Sequence, residues 1–111
     1  MTFAAPDEIG EAIGDDSYVR REYLLPDGSV VLYPAGMQVP PGAVFVGLQE
    51  NHRRADGRWC GGWVGFVNVE GHPDGSKHTL VSADPLTVAP SLLCRRCEHH
   101  GWIREGRWVP A

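Results

Sequence analysis

Ser17-Tyr-Val-Arg-Arg-Glu-Tyr-Leu-Leu25, Pro26-Asp27-Gly28, Ser29-Val-Val-Leu-Tyr33: two runs rich in valine and tyrosine enclose a turn whose chemistry explains itself. Proline presets φ and glycine supplies a positive φ, so the segment predicts a β-hairpin. The same alternation of strand and turn continues downstream. Pro40-Pro41-Gly42 breaks the chain before Ala43–Leu48, a short buried strand by composition. Residues 49–58 read as a polar loop ending in Ala55-Asp56-Gly57, and Trp59–Val69 as a twisted, glycine-rich strand. After a loop from Gly71 to Lys77, His78–Ser82 and Leu86–Ala89 read as strands around Asp84-Pro85. Glu105-Gly106 centres a closing hairpin. One weak helical turn fits Pro6–Ile13, with Gly10 and Gly14 working against it.

The expected fold is therefore mainly β. It consists of small antiparallel sheets or hairpins arranged as a partial barrel or sandwich, with at most one short N-terminal helix and a C-terminal turn resembling a zinc knuckle. Residues 1–16 form an acidic arm, and residues 17–111 a single β-rich domain whose knuckle and closing hairpin occupy 94–109. Composition agrees, because 14 glycines and 9 prolines in 111 residues favour short strands and many turns.

A net charge of −4 argues against a nucleic-acid partner, since such domains are usually strongly basic. No run approaches the roughly 18 apolar residues that span a bilayer, so no membrane association is expected. The start carries no basic and apolar signal-peptide pattern. Three cysteines, an odd number, do not make a secreted disulfide framework. The expected location is a reducing bacterial cytoplasm or a virion. The arm holds Asp7, Glu8, Glu11, Asp15 and Asp16 without a basic residue, whereas Arg95, Arg96, Arg104 and Arg107 enrich the tail. The two charges either attract each other or are simply solvated.

Concentrated chemistry lies in Cys94-Arg-Arg-Cys97-Glu-His99-His100-Gly101. Two thiols and an imidazole at this spacing suit Zn²⁺, which takes sulfur at about 2.3 Å and nitrogen at about 2.0 Å. Cys94 and Cys97 supply two ligands, and His100 or His99 the third. Structural zinc is four-coordinate, so a fourth ligand comes from elsewhere. His78 is preferred because it opens a strand before the knuckle; Cys60 and His72 are alternatives. The rival readings are small buried cysteines in a turn and a redox C-x-x-C. The latter wants its first cysteine at a helix N-terminus, which this context does not provide.

No catalytic constellation is complete. The deaminase pattern H-x-E…P-C-x-x-C and the metalloprotease H-E-x-x-H are both absent. Cys60 with His52 as its base requires a contact that spacing does not supply. Trp59, Trp63, Trp102 and Trp108 suit core or hairpin packing, or a protein-binding patch with neighbouring arginines.

Pro85-Leu-Thr-Val-Ala-Pro90-Ser-Leu-Leu-Cys94, followed by Cys97-Glu-His-His100-Gly-Trp-Ile-Arg-Glu-Gly106-Arg-Trp108, resembles a family of small uncharacterised proteins of actinobacteria and their phages. More distantly, it is similar to a phage-encoded family misnamed ammonia monooxygenase. That family is marked by P-T-x-x-P-S and a later H-x-[FW]-I-x-[DE]-G-R; here Leu86-Thr87 stands in place of Pro-Thr. The resemblance covers residues 78–111. It implies a metal-binding β domain of phage or prophage origin.

These readings lead to a non-enzymatic, metal-stabilised structural or protein-interaction protein, such as a capsid or tail accessory subunit that binds virion proteins or copies of itself. The alternative is a zinc-dependent accessory protein or enzyme in host takeover or a ubiquitin-like conjugation pathway.

Overall fold

The computed structural model describes residues 4–111 and is mainly β, with two small antiparallel sheets and one short helix. The first three residues of the acidic arm lie outside the described part. The helix α1 is Pro6–Ile9. It stops at Gly10, whose extended backbone (φ −93°, ψ 160°) turns the chain into β1, Glu11–Gly14. The acidic arm is thus partly structured, because β1 pairs antiparallel with β2, Ser17–Leu24.

The predicted first hairpin is present. β2 pairs with β3, Val30–Tyr33, from Arg21↔Tyr33 to Leu24↔Val30. Gly28 takes φ +88°, a left-handed backbone that favours glycine. β2 also pairs along its length with β4, Val44–Arg53, which pairs with β5, Trp59–Gly65. β4 runs five residues beyond the predicted end at Leu48, so residues 49–53 belong to a strand. Only Arg54–Arg58 turns the corner, closed by Arg54 N–H donating to the Arg58 carbonyl at 2.8 Å.

The second sheet is a meander of β6, Thr79–Ala83; β7, Leu86–Leu93; β8, His100–Arg104; and β9, Arg107–Pro110. Its last two strands form the predicted closing hairpin. Both sheets contribute to one core: Ile13, Val19, Leu48 and Val64 from the first, Leu86, Val88, Leu92 and Ile103 from the second, with Phe66 fully buried among them. Burying a side chain such as Phe66 or Leu48 contributes about 1.5–3 kcal/mol relative to exposure. Among the described residues, no helix is long and apolar enough to cross a membrane.

The arm's charges pair with the first sheet and its loop rather than with the tail arginines. Arg53 reaches Asp7 at 3.0 Å and Asp16 at 3.7 Å, and Arg21 reaches Glu11 at 2.7 Å. The Arg53 pairs are exposed, and each is worth only about 0–1 kcal/mol.

Candidate metal centre

His52 and Cys60 are direct register partners across β4 and β5. Direct partners in an antiparallel pair project from the same face, with Cβ atoms about 4.5–5.5 Å apart. Here that face is the interior: Leu48, Glu50 and His52 alternate inward along β4, and Cys60 and Val64 along β5. The hairpin therefore delivers one imidazole and one thiol to the space between the sheets.

Cys94 and Cys97 arrive from the second sheet. Cys94 follows β7, and its N–H donates to the His99 carbonyl at 2.8 Å, extending the β7–β8 ladder by one step. The Glu98 N–H donates to the Cys94 carbonyl at 2.7 Å, and Glu98 adopts the left-handed backbone (φ 63°) that closes so tight a turn. The backbone N–H groups of Arg96 and Cys97 act to lower the Cys94 thiol, and that of His99 to lower the Cys97 thiol. Such donors favour thiolate over thiol.

Three cysteines and a histidine consequently converge. Ligand atoms of His52, Cys60, Cys94 and Cys97 all lie within 4.8 Å of one another. Cys97 Sγ is 3.0 Å from His52 Nε2, and Cys60 Sγ is 3.3 Å from Cys94 Sγ. A tetrahedral ion with arms of about 2.3 Å to sulfur and 2.0 Å to nitrogen has ligand–ligand edges of about 3.5–3.8 Å. The cluster fits that size and is compatible with a metal site.

Glu50 completes the arrangement. His52 Nδ1 lies 2.9 and 3.0 Å from the two Glu50 carboxyl oxygens, so the ring turns Nε2 toward the sulfurs. A carboxylate on the far nitrogen of a ligating histidine fixes its tautomer and ring orientation. Glu50 and His52 are only 4% and 2% exposed. Burial, then the negative charge of Cys94, pushes the Glu50 carboxyl up to about 8. Burial and neighbouring His99 push His52 down to about 4, so the ring is neutral, the form that ligates. Burial raises the Cys94 thiol, but the hydrogen bonds from Cys60 and the two backbone N–H groups outweigh it and the net shift is downward. Cys97 is shifted upward by burial and by the other two thiols.

Glu50→Gln keeps the shape and replaces the carboxyl with an amide. It is expected to weaken metal affinity by about 10–100-fold, read by competition with a chromogenic chelator.

His99 packs inside this centre without joining it. Its ring stacks on His52 at 4.0 Å and on Trp108 at 4.2 Å. A second group, Glu50, His52 and His99, also lies within 4.8 Å. Lone pairs of imidazole lie in the ring plane, and stacked planes 23° apart aim them side by side rather than at one point. His52, moreover, has a single lone pair to give. The four-residue cluster is the better cation site.

Of the four ligands expected from sequence, Cys94 and Cys97 are in the cluster, while His78 and His100 are elsewhere. Strand alternation accounts for His100: Gly101 and Ile103 of β8 face the core, so His100 faces outward, with Nε2 2.9 Å from Ser91 Oγ. His78 bridges to Phe66 and directs Nε2 toward the Ser91 carbonyl at 3.3 Å. His72 donates from Nδ1 to the Val69 carbonyl at 2.8 Å. The group that the structure brings together is His52, Cys60, Cys94 and Cys97. Sequence reasoning misses His52 as a ligand because residues 49–58 read as a polar loop, whereas β4 runs to Arg53. The available signal was Ala55-Asp56-Gly57, which as a hairpin turn makes positions 52 and 60 neighbours. Comparison with protein-family models, curated proteins and solved structures finds no match to this chain.

Proposed function

We propose that this is a non-enzymatic, zinc-stabilised protein of phage or prophage origin that acts by binding proteins, as an accessory subunit of a capsid or tail. One observation supports the metal role: three sulfurs and one imidazole converge within 4.8 Å of one another, enough donors for all four positions of a tetrahedral ion. A site with no place left for water is structural; catalytic zinc keeps an open position. The ligand set is soft, which suits Zn²⁺, and its thiolates require a reducing compartment.

Support for a protein partner comes from β3. It hydrogen-bonds only β2 among the described strands, and Val30, Val31 and Leu32 are 48%, 37% and 36% exposed. An apolar strand with one free edge is a template for a further strand from another chain or a second copy.

The second reading, a zinc-dependent accessory protein or enzyme in host takeover or ubiquitin-like conjugation, draws on one feature. Glu50 and Cys94 both line a cavity of 220 Å³. It needs one sulfur to yield its place to water.

Light scattering tests the interaction role. The expected mass is a multiple of the 12.2 kDa chain, reduced to one chain by Val31→Lys. A single-chain mass at every concentration, together with no copies in purified phage particles, would overturn it.

A further inference from the structure

The three thiols of the centre are not equivalent, and their arrangement points to an oxidation chemistry. Cys60 Sγ and Cys94 Sγ are 3.3 Å apart, whereas Cys97 Sγ lies against His52 Nε2 at 3.0 Å. Cys60 is buried, with 6% exposure. Cys94 is partly exposed and lines the 220 Å³ cavity, together with exposed Arg95 and Arg96. That cavity owes its room partly to Gly62, opposite Glu50 in β5, where an added Cβ would meet nothing within 4 Å. A small solute thus has a path to Cys94, and a sulfenic acid formed there would find the Cys60 thiol 3.3 Å away.

We propose that Cys94 is a modification site: a small peroxide oxidises it, Cys60 closes it into a disulfide, and the ion leaves. This rests on the metal reading above. The Cys94 sulfur attacks the peroxide O–O bond, takes one oxygen as sulfenic acid and releases hydroxide. The Cys60 sulfur then attacks the Cys94 sulfur, forming the S–S bond and expelling the second oxygen as hydroxide. Two solvent protons complete two waters. The two sulfurs are oxidised by two electrons in total and the peroxide is reduced; the zinc stays Zn²⁺. With only His52 and Cys97 left as ligands, the ion dissociates. The new bond joins β5 to the end of β7, so it holds together the elements the ion had held. Oxidation therefore empties the site while keeping the two sheets tied.

The test treats the zinc-loaded protein with hydrogen peroxide, following zinc release with a chromogenic chelator and mapping disulfides by mass spectrometry. The expected result is one zinc released per Cys60–Cys94 disulfide, with Cys97 still open to alkylation. The oxidised, zinc-free protein is expected to melt above the chelated, reduced protein. Gly62→Leu, which fills the cavity, is expected to keep its zinc and slow release about tenfold. Cumene hydroperoxide, a much bulkier oxidant, is expected to react more slowly than hydrogen peroxide on the unaltered protein. A Cys94–Cys97 bond, oxidation to sulfinic acid without a disulfide, or equal rates for both peroxides would overturn the proposal. A protein that binds no zinc at all would overturn the metal reading first, whereas a zinc-loaded protein that forms no disulfide would overturn this inference alone.

Discussion

A strong chelator is expected to abolish the cooperative thermal transition of this protein rather than merely shift it. Structural zinc contributes an apparent ~10–16 kcal/mol in small thiolate and imidazole sites at neutral pH. A whole domain is stable by only about 5–15 kcal/mol, so removing the ion takes away most of the margin. The location of the site strengthens the expectation. His52 and Cys60 belong to one sheet, and Cys94 and Cys97 to the turn between β7 and β8 of the other, so an ion held there would join two sheets that otherwise share one modest core. Calorimetry before and after chelation, followed by zinc addition, measures the effect. The expected trace loses its peak and regains it on reloading.

Cys60→Ala is expected to be as damaging as Cys94→Ala, each destabilising by more than about 4 kcal/mol, in the range that marks loss of a metal site. His78→Ala and His100→Ala are expected to remain within about 1 kcal/mol of the unaltered protein. The contrast follows from geometry. Cys60 Sγ stands 3.3 Å from Cys94 Sγ, while His78 and His100 both direct Nε2 at Ser91. Urea unfolding of the four variants, with zinc content measured on each, separates the two ligand sets. If His100→Ala lost its zinc and Cys60→Ala kept it, the four-residue cluster would be the wrong site.

The parts of this fold that were legible in the sequence are those specified by local chemistry. Pro26-Asp27-Gly28 and Glu105-Gly106 each mark a turn within a few residues, and both hairpins are where those turns place them. The C-x-x-C turn was legible for the same reason. The segment Gln49-Glu50-Asn51-His52-Arg53 was not, although it alternates with a period of two as a strand should. Strand signals depend on apolar residues facing inward, and here the inward residues are Glu50 and His52, a buried polar pair. The core rule fails where the interior serves the site instead of the core. β1 was hidden for a related reason, since Ile13 is its single buried apolar residue.

X-ray absorption at the zinc edge on the purified protein tests the central claim most directly. The predicted spectrum is one ion per chain with three sulfurs at about 2.3 Å and one nitrogen at about 2.0 Å. A shell of two sulfurs and two nitrogens, or a protein that retains no metal while its thiols remain reduced, would contradict it.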